Sequence, residues 1–200
     1  ILAPYWLRDK FLYLIKREIK HVKEGKEGRI AAKMNSLCDS GIIAALYEAS
    51  AAGVKIDLIV RGICCLKVGI PGVSENITVR SIVGNFLEHS RIFYFENGGN
   101  IDVYMGSADW MPRNLDRRVE IIFPVLEDAL KEKAVHILEV ELADNVKARV
   151  MEPDGNYVRV DKRGKQLVNS QRVFVEEAEQ AVPKDTESQK GRVFIPAEPL

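Results

Sequence analysis

Two hundred residues suffice for one domain with a full core, and 46% hydrophobic with 29% charged residues reads as a soluble globular chain. Lys+Arg and Asp+Glu both count 29, so the net charge is zero and the total suggests no basic stripe for nucleic acid. Any phosphate affinity must then come from local placement. No apolar run approaches the roughly 20 residues needed to cross a bilayer. The apolar start gives way to Arg8, Asp9 and Lys10, so no signal peptide is expected, and without an initiator Met the chain is expected to be a piece of a longer protein. Cys38, Cys64 and Cys65 are odd in number and two are adjacent. That fits a reduced, cytosolic compartment and small buried side chains better than disulfides, and no metal site is expected.

Pro4 to Glu24 reads as a helix, with Leu7, Phe11, Leu14, Ile15, Ile19 and Val22 on one face and Gly25 as the stop. The basic excess of residues 1–30 fits a solvated helix face. Arg29 to Asn35 reads as a strand. Asp39 then caps a helix through Ile42, Ile43, Leu46 and Tyr47, stopped by Gly53, and Val54 to Val60 is the next strand. Strand, helix and strand predict a parallel βαβ unit. Leu66 to Asn76 is a loop, and Ile82 to Leu87 a short helix. Arg91 to Phe95 and Ile101 to Met105 form a hairpin about Asn97-Gly98-Gly99-Asn100. Val119 to Phe123 is a strand and Leu126 to Leu142 a helix with Glu127 and Asp128 near its start. Val146 to Val160 is a hairpin about Pro153-Asp154-Gly155. One domain over residues 1–175 and a disordered tail over 176–200 are expected.

Three short runs could carry chemistry. His89-Ser90-Arg91 enters a strand with His89 and Arg91 on one face. Arg grips phosphate oxygens through paired charged donors, and His is acid, base or nucleophile near neutral pH. A surface histidine at a strand edge fits the same spacing. Gly106-Ser107-Ala108-Asp109 follows the next strand, where a small-residue turn lets backbone N–H groups and the Ser107 hydroxyl approach an anion; an ordinary turn fits equally. Arg61 closes an apolar strand at its carboxyl end, where parallel α/β sheets place ligands; an arginine reaching solvent fits too.

In order along the chain, His89-x-Arg91, Glu96 and Gly106-Ser107 resemble one half of the phospholipase D superfamily pattern. Arg91 stands where Lys is usual and Glu96 where Asp is usual, which argues against phosphodiester hydrolysis. Longer runs are similar to polyphosphate kinase of the first type. These are residues 58–64 (LIVRGIC), 85–91 (NFLEHSR), 95–99 (FENGG) and 107–118 (SADWMPRNLDRR), with Lys33 to Leu37 and Val146 to Arg149 matching as well. The resemblance covers residues 1–174.

The resemblance implies an α/β, phospholipase D-like mixed sheet flanked by helices. It implies the C-terminal domain of an enzyme that reversibly transfers the terminal phosphate of ATP to polyphosphate through a phosphohistidine on a preceding domain absent here. The chain alone is then expected to bind phosphate or nucleotide without turnover; the alternative is a phospholipase D-like phosphodiesterase acting as a dimer. By motif, Arg61 matches an arginine on nucleotide phosphate, and His89 a second active-site histidine that contacts nucleotide and acts as acid or base. Arg91, Ser107, Arg113, Arg117 and Arg118 are candidates for lining a polyphosphate channel, with Lys33 and Asn35 weaker ones; surface salt bridges fit the last three arginines equally. ATP or ADP is the implied cofactor, and magnesium ligands belong to the preceding domain. The implied partners are inorganic polyphosphate, ATP and that domain, in a cytoplasmic homo-oligomer whose peripheral membrane association stays open. Nucleic acid and a membrane-spanning segment are not expected. His21 and His136, inside helices, have no assigned role, and Trp6 and Trp110 are read as packing.

Overall fold

Strands β1 (Arg29–Met34) and β2 (Lys55–Val60) lie side by side at the centre of the molecule, in a computed structural model that describes residues 1–181. They are parallel, with Met34 beside Val60, and α2 (Ser40–Ala51) connects them. The Asp39 carboxylate accepts the Ile42 N–H at 3.0 Å and starts that helix. Gly53, at φ 98°, turns the chain back, a left-handed conformation that favours glycine. The expected βαβ unit is present.

The sheet has eight strands in the order β6-β5-β4-β1-β2-β3-β7-β8. The others are β3 (Ile77–Ser81), β4 (Ile92–Phe95), β5 (Asp102–Gly106), β6 (Ile122–Pro124), β7 (Arg149–Met151) and β8 (Tyr157–Arg159). Strand β3 is parallel to β2 and every remaining pairing is antiparallel, so the sheet is mixed. Alternation sends Ile30, Ala32 and Met34 into one core under α1 (Leu7–Lys23) and α2. Ala31 and Ile59 face a second core under α4 (Asp128–Ala143). Helix α5 (Ser170–Ala181) packs on α4. No helix among the described residues is long and apolar enough to cross a membrane.

Several expectations change. Residues 82–87 are not helical. Only Ile82 is buried there, while Val83, Phe86 and Leu87 are exposed, so no apolar face drives a helix onto the core. Strand β3 and the one-turn helix α3 (Pro112–Asp116) were not anticipated. Helix α1 starts at Leu7 rather than Pro4. Helix α5 continues through residues 176–181, inside the expected tail, and the rest of that tail lies outside the described residues. Trp110 is fully buried against Phe11 and Phe93, with ring centroids 5.4 and 5.3 Å away, but Trp6 is mostly exposed. The three cysteines are free thiols, yet none is fully buried and Cys65 is exposed.

Candidate functional site

Strand polarity gathers the candidate residues. Asn35 follows the end of β1, Arg61 the end of β2, and Ser107 the end of β5. His89 and Arg91 precede the start of β4, which runs the other way. All five lie at one edge of the sheet, beyond the carboxyl ends of its parallel strands, where such sheets bind ligands. The end of β2 and the start of β4 flank the end of β1, about 10 Å apart at two strand spacings.

Asp109 organises this edge. Its Oδ1 accepts the Asn35 backbone N–H at 2.8 Å, Asn35 Nδ2 at 3.2 Å and Arg91 Nε at 3.1 Å, and its Oδ2 accepts Arg91 Nη2 at 3.3 Å. Arg91 Nη1 donates to the His89 carbonyl at 2.7 Å. Buried Trp110 is the next residue, and its carbonyl accepts the N–H groups of Cys38 and Asp39 at 2.8 and 2.9 Å. The aromatic core thus fixes the carboxylate, the carboxylate fixes Arg91, and Arg91 fixes the backbone of His89. Sequence reading named Asp109 only as part of a turn, because its partners lie 18 and 74 positions away.

The remaining candidates differ in what they leave free. The His89 side chain is exposed and makes no hydrogen bond among the described residues. Arg61 is half-buried, and its guanidinium makes no hydrogen bond or ion pair among the described residues. Donors held ready at a strand end, without an internal acceptor, suit an incoming anion. Arg91 has Nε, Nη1 and Nη2 all engaged. Ser107 Oγ donates to Glu120, whose other oxygen accepts Asn114 Nδ2, and receives the Ile121 N–H at 3.2 Å. Arg113, Arg117 and Arg118 are exposed in and after α3. Arg118 lies 3.9 Å from Glu120, and the other two have no ion pair among the described residues. Helix α3 is tied back through Arg8, which binds Asp116 and, at 2.7 Å, the capping carboxylate of Asp39.

Glu96 does not join the site. It follows the far end of β4 and accepts a hydrogen bond from Tyr94. Lys33 faces the α4 side, buried, with its ammonium 2.9 Å from Glu88, 2.8 Å from Ser90 Oγ and 3.4 Å from Glu141. A buried charge needs such partners. Burial pushes the Glu141 carboxyl up to about 8, against the attraction of Lys33. For Glu88 burial acts in the same direction, but hydrogen bonds from Gln171 and Lys33 outweigh it and hold its carboxyl below the usual range.

The family model described as "Polyphosphate kinase C-terminal domain 2" matches residues 1–171. The chain belongs to the polyphosphate kinase C-terminal domain family. It is 49% identical over 199 residues to a polyphosphate kinase of Lactiplantibacillus plantarum, covering 98% of this chain and 28% of that relative. The polyphosphate kinase structure from Porphyromonas gingivalis superposes with a TM-score of 0.86 at 43% identity, over 91% of this chain and 28% of that one. A phospholipase D family member, Nuc from Salmonella typhimurium, shares the fold, with a TM-score of 0.50 at 16% identity over 69% of this chain and 88% of that one. The chain therefore spans little more than a quarter of the polyphosphate kinases it matches. Among the described residues no group of three or more His, Cys, Asp or Glu side chains could hold a metal ion.

Proposed function

We propose that this domain forms one wall of the active site of an ATP–polyphosphate phosphotransferase, with the phosphohistidine on the preceding domain of a longer, homo-oligomeric cytoplasmic protein. The observation that carries this reading is the placing at one sheet edge of Arg61, whose guanidinium makes no hydrogen bond or ion pair among the described residues, and an exposed His89, over the Asp109–Asn35–Arg91 network. Arg61 binds oxygens of ATP, ADP or polyphosphate and offsets the charge that develops on the transferring phosphoryl group. His89 holds a proton for the attacking or leaving phosphate oxygen. Arg113, Arg117 and Arg118 extend the cationic lining for a polyanionic chain, and Ser107 is held by Glu120, which Arg118 also approaches. Arg91 works from below, by fixing the His89 backbone.

Calorimetric titration with long-chain polyphosphate, with an ATP transfer assay on the same sample, tests the reading. Binding that weakens as salt rises, without phosphoryl transfer, is expected of one wall of a site. Transfer by these 200 residues alone would contradict the division of the site between domains. Absence of binding would contradict the phosphate site itself.

A further inference from the structure

Residues 83–90, which carry His89, lack both of the usual means of fixing a backbone. Among the described residues they make no backbone-to-backbone hydrogen bond, and Val83, Phe86 and Leu87 are exposed instead of packed in a core. One side chain compensates. Gln171 Oε1 accepts the N–H groups of Asn85 at 2.7 Å and Phe86 at 3.1 Å. Its Nε2 donates to the Phe86 carbonyl at 2.9 Å and to Glu88 Oε1 at 2.8 Å. Both ends of the amide are thus used, on Asn85, Phe86 and Glu88 in the segment just before His89. Lys33 holds the other oxygen of Glu88, and Arg91 holds the His89 carbonyl.

The fit is close. A Cβ placed on Gly84 would lie 2.7 Å from Gln171 Cδ, so only glycine lets the amide approach. Gln171 is itself anchored. It is buried in the first turn of α5, and the preceding Ser170 gives Asp144 Oδ2 two hydrogen bonds of 2.8 Å, from N and Oγ. The same Asp144 accepts the N–H groups of Val146, Lys147 and Ala148 beyond the end of α4. An unbroken chain of contacts runs from α4 through α5 to the histidine.

We propose that Gln171 is a positioning residue for His89, and that the start of α5 is the latch setting where the imidazole stands at the sheet edge. A site residue holds its geometry only when its own support is locked. The inference deepens the phosphotransferase reading, and its test separates the two. Gln171→Met keeps the volume and removes all four hydrogen bonds. It should weaken polyphosphate binding about as much as His89→Ala, and the double variant should lose no more than either, because both act through one imidazole. Gly84→Ala should reproduce the defect, yet be neutral in a Gln171→Ala background, where nothing remains to collide. Backbone amide exchange at Asn85 and Phe86 is read alongside and needs no ligand: protected in the wild type, lost in Gln171→Met. Wild-type affinity in Gln171→Met, losses that add to those of His89→Ala, or fast exchange at both amides in the wild type would each overturn the latch. Protected amides in a chain that binds no polyphosphate would support the latch and count against the phosphotransferase reading alone.

Discussion

Arg91 meets Asp109 with two nitrogens, Nε on Oδ1 at 3.1 Å and Nη2 on Oδ2 at 3.3 Å, and the pair is largely buried. This contact decides what Arg91 is for. Its fork is closed around an internal carboxylate, so Arg91 orients the strand entry while the neighbouring histidine faces solvent.

Removing one member of such a pair strands the other. Asp109→Ala leaves the Arg91 guanidinium and the Asn35 N–H without their acceptor, and should cost about 3 kcal/mol. Denaturant unfolding checks it. Asp109→Ala combined with Arg91→Met should recover part of the loss, since no stranded charge remains. A loss no larger than the ~0.5 kcal/mol of ordinary surface changes would contradict the central role of Asp109.

Glu141 gives the fold a pH dependence. Its carboxyl is raised to about 8 by burial, from an ordinary value of 4.5. Between those values the folded chain keeps a proton that the unfolded chain has lost. The stabilisation is therefore complete below about pH 4.5 and fades as pH rises through 8. One such proton sets a slope approaching about 1.4 kcal/mol per pH unit. Glu141→Gln, which mimics the protonated carboxyl facing Glu88 and Lys33, should flatten the fall in melting temperature across that window. An unchanged slope would show that Glu141 is not the titrating group.

Gly106 ends β5 where β6 crosses closely. An added Cβ would meet the Ile121 carbonyl oxygen and come within 2.9 Å of Ile122 Cα, both backbone atoms that cannot swing aside. Gly106→Ala should cost about 1–3 kcal/mol by forcing β6 away. Because Ser107 bonds both Glu120 and Ile121, the change should also disturb the Ser107 turn, seen as shifted amide signals at residues 107 and 121. Wild-type stability and unshifted signals would contradict the close crossing.

The sequence was most legible where local punctuation and period agree. Asp39 and Gly53 bound α2, β2 ends in the apolar run Leu58 to Val60 that a strand buried on both faces shows, and Asn97 to Asn100 announce a hairpin. Residues 77–81 also alternate, Ile77 and Val79 against Thr78 and Arg80, but the strand is short and follows a Gly- and Pro-bearing loop. The site was legible in its members and obscure in its wiring. His89, Arg61 and Ser107 follow from motif order and strand ends. Glu96 was chosen by the same order, yet β4 carries it to the opposite sheet edge, while Asp109 arrives from β5 by antiparallel pairing. Gln171 shows no local signal, since it acts on residues 83–86 positions earlier in the chain.

Calorimetric titration of Arg61→Ala and His89→Ala with long-chain polyphosphate, beside the wild type, tests the central claim most directly. The account predicts that the wild type binds and that each substitution weakens binding by about tenfold or more, the loss of one charge-assisted contact. Unchanged affinity in both variants would contradict a phosphate site at this sheet edge.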